Sequence, residues 1–178
     1  MRGALAAYRR LNAWLQAAVV AFTGFVVLVI VVAPLVAAIV RYYTGQGYDW
    51  LAEMPPQLVP WVVFPMMGVL LRHDRHISVD IAPYLLSGRA YTLLRALVLA
   101  ISLAACIVFG WYGAESVAFF RRLGQLSTTE IEFELWYLYI SYPVGFALAA
   151  NFCLEALLHT LAGQPAPGKI DPELGGLA

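Results

Sequence analysis

The feature that most constrains this chain is an apolar run from Ala13 to Val40, about 28 residues without a charged side chain. A helix that crosses the hydrocarbon core of a bilayer needs about 20 consecutive apolar residues. The run is also longer than the roughly 7–15 apolar residues of a signal peptide, so it predicts a retained membrane-spanning helix. Because it exceeds the thickness of the core, we expect this helix to tilt or to project into the headgroups.

Three further apolar segments follow, and short connections join them. Overall composition agrees with a membrane protein: 62% of the residues are hydrophobic and 12% are charged, against roughly 45–50% and 25% in soluble domains. The sequence therefore predicts an all-α integral membrane protein in an up-and-down arrangement. Its four transmembrane helices are expected at about 13–40, 54–71, 96–115 and 135–158.

The second apolar segment is short and rich in proline. Pro55 or Pro56 suits the first turn of a helix, where the missing N–H costs nothing. Pro60 and Pro65 lie deeper and remove backbone hydrogen bonds, which in a membrane must be replaced by contacts with neighbouring protein. We expect this helix to pack against protein over much of its surface.

Basic residues are distributed unevenly between the two sides of the predicted bundle. Eight of the eleven Lys and Arg residues belong to the N-terminus, the connection between segments two and three, and the C-terminal tail. The positive-inside rule places that side in the cytoplasm, so both termini are expected there. The other three are Arg41, Arg121 and Arg122, on the side that also holds several acidic residues.

Two regions outside the spans have their own patterns. Apolar residues recur at helical spacing after Ile77, which predicts a short amphipathic helix at 79–87 lying in the membrane interface. Arg89 and Arg95 follow it and are expected to contact membrane lipids. Residues 163–178 are rich in proline and glycine and predict a flexible cytoplasmic tail beyond a transmembrane domain of residues 1–162.

The region before the fourth segment, Ser127 to Glu130, fits a capping box that begins a helix. Acidic residues at 130, 132 and 134 then lie near the positive end of the helix dipole. Two interpretations stay open for them. They cap the helix, or they form a docking surface for a partner outside the cytoplasm.

No reaction chemistry is evident inside the predicted membrane region. Glu115 and Glu155 lie near opposite edges, and the middle of each segment lacks charge. Ionisable groups within a membrane usually mark ion or substrate pathways, so their absence favours an accessory or scaffold subunit. The two cysteines are predicted to be buried and unpaired. We expect no metal, no cofactor, no enzymatic activity and no nucleic-acid partner.

Three motifs nevertheless resemble a known family, the small membrane subunit (DctQ-like) of tripartite ATP-independent periplasmic (TRAP) transporters. Arg41-Tyr42 is followed by Trp50 and Glu53, and Gly68 to Asp80 contains the His76-Ile77-Ser78-Val79-Asp80 signature. Trp136 is followed by Tyr139, Pro143, Gly145 and Phe146, similar to the family's entry into helix four. The likeness covers about residues 12–160. Met54-Pro55-Pro56 departs from the family's more helix-friendly run after the acidic residue.

The resemblance implies partners and a location. In this family a large multi-span permease holds the substrate and sodium sites, and a periplasmic binding protein delivers an organic acid. The small subunit is expected to brace the permease in the bacterial inner membrane and to widen the docking face for the binding protein. The implied positions are candidates for a partner interface or family motif, and none is expected to be catalytic or substrate-binding: Glu53, Arg72, His76, Asp80, Trp136, Tyr139 and Pro143.

Two other functions remain open from the residues. A haem-carrying membrane anchor of an oxidoreductase would need histidines from different helices, and His73 or His76 with His159 offers such a pairing. Residues three apart on one helix share a face, so His73 and His76 alone cannot bind both sides of an iron. A free-standing bundle with a structural or lipid-related role is the third hypothesis.

Overall fold

The computed structural model describes residues 2–73 and 89–162, and the elements it forms there are helical apart from one isolated β-bridge. The predicted helix at 79–87 and the predicted tail lie outside these ranges. Four helical stretches are long and apolar enough to cross a membrane, which confirms the predicted fold class. The helices are α1 (Arg2–Thr44), α2 (Trp50–Gln57), α3 (Val59–Arg72), α4 (Arg89–Leu123), α5 (Trp136–Tyr139) and α6 (Ser141–Leu161).

The second span is divided in two at Leu58. Its N–H bonds to the carbonyl oxygen of Pro55 at 3.0 Å, and the N–H of Trp61 bonds to the Leu58 oxygen at 3.0 Å. These are three-residue steps, tighter than the four-residue step of an α-helix. The break falls here because Pro60 has no N–H with which to continue the α-helical ladder. Pro34, in contrast, lies inside a continuous α1.

The spans pack side by side in the order α1, α3, α6, α4, and α2 adds to the contact with α1. Among the described residues α1 and α4 form no packed interface with each other, so the spans make an open row and not a closed bundle. The inward side of α1 carries a stripe in steps of three and four residues, as in a coiled coil. This stripe consists of Asn12, Gln16, Val19, Thr23 and Val26.

The central pair, α3 and α6, cross with their backbones almost in contact. A Cβ atom on Gly145 would lie 2.5 Å from the Phe64 carbonyl carbon, and one on Gly68 would lie 2.9 Å from the Ala149 nitrogen. Small residues at such positions allow close packing, which is the main attraction between helices in a membrane. The proline-rich span therefore packs closely against protein, as expected, with Pro65, Gly68, Val69 and Arg72 buried.

Large apolar side chains cover the outside of the row. Phe25 is 64% exposed, Val31 is 62% exposed and Leu93 is 71% exposed. The only buried hydrophobic cluster in the described ranges is small and consists of Val19, Val69 and Phe152. A soluble protein does not leave so much apolar surface in contact with water, whereas a bilayer covers it.

The connection between α4 and α5 corrects the predicted capping box. No side chain caps α5, which begins at Trp136 after Leu135. Ser127 and Thr129 instead donate to the Ile131 carbonyl oxygen at 3.2 and 2.7 Å. Hydroxyl side chains bond readily to nearby backbone groups in this way, which stabilises a turn in place of a helix start.

Candidate functional site

The most heavily buried charged groups of the described structure form an ion pair between α3 and α6. The Arg72 side chain is 7% exposed and that of Glu155 is 0% exposed. Arg72 Nε donates to Glu155 Oε2 at 2.9 Å, and Nη2 donates to Oε1 at 3.1 Å. Such a bidentate contact matches the planar geometry of the guanidinium and fixes both side chains in orientation. The pair joins residues that are 83 positions apart in sequence.

The remaining donors of Arg72 bind α1. Nη1 donates to the Asn12 carbonyl oxygen at 3.2 Å and to Gln16 Oε1 at 2.6 Å, and Nη2 donates to the Arg9 carbonyl oxygen at 3.3 Å. The Gln16 amide nitrogen lies 2.7 Å from His73 Nε2. An amide nitrogen can only donate, so His73 Nε2 accepts this bond. One arginine thus connects three helices.

A second set of contacts links α1 directly to α6. Asn151 Nδ2 donates to Asn12 Oδ1 at 2.9 Å, and the Tyr8 hydroxyl donates to Asn151 Oδ1 at 2.7 Å. Together with the ion pair these residues form what we call the Arg72 network: Tyr8, Asn12, Gln16, Arg72, His73, Asn151 and Glu155. Because polar groups inside a membrane are costly unless they are bonded, the network selects one arrangement of the three helices.

The opposite end of the row, called the loop end because it carries residues 124–135, has a smaller polar clamp. Glu53 Oε2 accepts the backbone N–H of Glu130 at 2.9 Å, and Glu130 Oε2 accepts the backbone N–H of Trp50 at 2.9 Å. The two carboxylates therefore hold α2 and the loop together by a reciprocal exchange. Both bonds are exposed, so their contribution to stability is smaller than that of the Arg72 network.

Aromatic side chains fill the contact between α4 and α5 near the loop end. Tyr139 stacks on Phe120 with ring centroids 3.9 Å apart, and the Arg121 guanidinium lies 5.3 Å from the Trp136 ring centroid. The Trp136 indole also donates to Glu134. Pro143 lies close to Gly113, where a Cβ atom would be 3.2 Å from the proline nitrogen.

The structure thus separates the sequence-predicted positions into two groups. Glu53, Trp136, Tyr139 and Pro143 lie towards the loop end, where they make contacts within the chain. Arg72 lies at the other end, buried in its network. His76 and Asp80 lie outside the described residues. Whether any of these positions contacts a partner stays a prediction.

Several residues of the Arg72 network were not among the predicted positions. Asn12 and Gln16 are four residues apart on α1, and Asn151 and Glu155 are four apart on α6. Residues at that spacing share one helix face. Polar pairs on one face of an otherwise apolar span were the available signal, and they indicate contact between the two helices.

The histidines and cysteines of the described part of the chain have different surroundings. No group of three or more His, Cys, Asp or Glu residues with metal-binding geometry occurs there. His73 is engaged with Gln16, and His159 is buried at 3% exposure. Cys106 and Cys153 are buried and unpaired, as expected, and the Cys153 thiol donates to the Leu99 carbonyl oxygen at 3.1 Å.

Apolar outer surfaces, four spans and internal polar contacts define a multi-pass membrane subunit. One sequence comparison specifies it further: the family model described as "Tripartite ATP-independent periplasmic transporters, DctQ component" matches residues 30–163, about three quarters of the chain. No curated protein and no solved structure gave a match. The chain belongs to the DctQ family and is the small component of a TRAP transporter.

Family membership establishes several general properties. The protein is a transporter component and not an enzyme, and it is a multi-pass protein of the inner membrane. The DctQ component works with the large DctM permease and a substrate-binding protein. The family model begins at residue 30, so the part of the Arg72 network on α1 lies before the matched range.

Proposed function

We propose that this chain is the rigid scaffold subunit of a sodium-coupled transporter for organic acids, and that it braces the large permease while the permease moves the solute. The observation that carries the proposal is the Arg72 network. Its buried charged groups bond to other residues of the same chain, and both carboxylate oxygens of Glu155 accept hydrogen bonds from Arg72. A helix assembly fastened in this way supports a partner and does not itself open a path for an ion.

The close crossing of α3 and α6 supports the same role. Helices that approach as closely as α3 and α6 do at Gly68 and Gly145 cannot slide past each other without a steric clash, so this pair moves as one body. A static part of this kind suits a transporter in which a second subunit carries the substrate across the membrane.

Uptake by the reconstituted transporter tests the proposal. Vesicles that contain the large permease, supplied with the binding protein, are expected to accumulate a labelled dicarboxylate or sialic acid only when this chain is present and a sodium gradient is imposed. A potassium gradient of equal size is the control for sodium coupling. Full uptake without this chain would refute the scaffold role, and uptake under either gradient would refute the coupling ion.

We also propose that both termini lie in the cytoplasm, because eight of the eleven basic residues belong to that side. A reporter that is active only in the periplasm, fused after Ala178, is expected to stay silent. The same reporter inserted in the exposed stretch at Gly45 is expected to be active, since Gly45 lies at the other end of α1. The opposite pattern would reverse the orientation.

A further inference from the structure

The two outer helices of the row present different surfaces, and this difference bears on where the large permease binds. The outward side of α1 is apolar throughout its charge-free stretch, with Phe25 64% exposed, Leu28 58% exposed and Val31 62% exposed. Lipid chains are a sufficient cover for such a face. The outward side of α4 is different.

The outward face of α4 can be located from its contacts with α6. Cys106, Gly110 and Gly113 lie on the side that packs on α6: Cys106 is buried, and the glycines approach Phe146 and Pro143. At 100° per residue, the residue five positions after each of these three lies about 140° around the helix from it, on the side away from α6. These are Trp111, Glu115 and Ala118, and all three are exposed.

Glu115 is the informative residue on this face. It bounds the charge-free stretch Ala96–Ala114, and it lies two helical turns, about 10 Å, inside Arg122. Its hydrogen bond in the described structure comes from the Trp111 indole at 3.0 Å, on the same helix, and no ion pair neutralises it there. An exposed carboxylate at the edge of a span, without an ion-pair partner in the described part of its own chain, is a hydrogen-bond acceptor that a helix of another protein can use.

The shape of the surface agrees with its charge. An open cavity lies on this face, lined by Tyr112, Glu115, Ser116, Ala118, Phe119 and Arg122. It holds one acidic and one basic side chain, Glu115 and Arg122, so it offers both a hydrogen-bond acceptor and donors to polar side chains of a neighbouring helix. Ala114 and Ala118 are also exposed, which allows that helix to approach closely.

We infer that the outward face of α4 around Glu115 is the surface that binds the large permease, and that the outward face of α1 faces lipid. The inference rests on the proposed function, since it assumes that the permease is held by this chain. The occupant is a membrane helix of the permease that supplies donors to Glu115 and acceptors to Arg122.

Photo-cross-linking in the assembled complex tests this assignment. A photo-reactive amino acid in place of Ala118 is expected to cross-link to the large permease, and the same residue in place of Val31 is expected not to. Cross-linking from position 31 alone, from both positions equally, or from neither in a complex that still co-purifies would overturn the inference. If the unmodified chain fails to co-purify with the permease, the proposed function itself fails, and this inference with it.

A bulky substitution provides an independent measurement. Ala118→Trp is expected to lower the recovery of the large permease with the tagged small subunit about tenfold, equivalent to ~1.4 kcal/mol. Val31→Trp is the matched control and is expected to leave the recovery unchanged. Both positions are exposed in the isolated chain, so both variants are expected to fold, which circular dichroism of the purified small subunit checks. Equal recoveries for the two variants would contradict the inference.

Discussion

Replacing Arg72 with Met is expected to destabilise the chain by about 3–5 kcal/mol, because the Glu155 carboxylate is then left buried without a counter-ion. The same change removes five hydrogen bonds, two to the Glu155 carboxylate and three to acceptors on α1. Thermal unfolding in detergent, followed by circular dichroism, measures the loss. The yield of folded protein from membranes is expected to fall with it.

The double variant Arg72→Met with Glu155→Leu tests whether Arg72→Met loses stability because Glu155 is left without a counter-ion or because packing around residue 72 is lost. Replacing both charges with apolar groups of similar size removes the desolvation cost, so much of the lost stability is expected to return. Arg41→Met is the matched control. Its ion pair with Asp49 is 3.7 Å long and 71% and 70% exposed, so the change is expected to cost less than about 1 kcal/mol. A double variant as unstable as Arg72→Met would show that Glu155 is not the reason for the loss.

The substitution Gly145→Ala is expected to destabilise the chain by about 2–3 kcal/mol, because even one added carbon atom collides with α3. The new Cβ would lie 2.5 Å from the Phe64 carbonyl carbon and 2.6 Å from its oxygen. Backbone atoms cannot turn aside as a flexible side chain does, so the two helices must separate. The measurement is the same thermal unfolding in detergent.

Two variants make this second experiment specific. Gly24→Ala is the control, since a Cβ atom there would meet nothing within 4 Å, and its unfolding temperature is expected to stay close to that of the wild type. Combining Gly145→Ala with Phe64→Ala is expected not to restore stability, because the colliding backbone and Cβ atoms remain. Recovery in that double variant would place the clash in the Phe64 ring and not in the backbone.

The sequence revealed some residues of the candidate site. Gln16, Asn151 and Glu155 are polar residues within the predicted apolar segments, and the other members of the Arg72 network lie just outside them. What the sequence lacked was their pairing. Arg72 was predicted as one of several basic residues in a connection between spans, whereas it is the last residue of α3 and is buried against α6.

At the start of the fourth span, a local sequence motif predicted the wrong helix start. The pattern from Ser127 to Glu130 satisfies a local rule for helix capping, yet the helix begins at Trp136. Ser127 also bonds with residues further along the loop, and the backbone N–H of Ser127 donates to the Phe133 oxygen at 2.8 Å. A local motif was outweighed by contacts within a longer loop.

By itself the sequence determined the number of spans and the helical class, and its motifs indicated the family. These follow from short segments, since hydropathy acts locally. The sequence predicted one helix at 54–71, whereas the span begins at Trp50, carries Pro55 and Pro56 inside α2 and is divided at Leu58. Only the tertiary structure decided the open row of helices, the Arg72–Glu155 pair and the direction in which Glu115 faces. Each of these depends on how helices far apart in sequence cross, and in a membrane that geometry is set by close packing of small residues and by the bonding of a few buried polar groups.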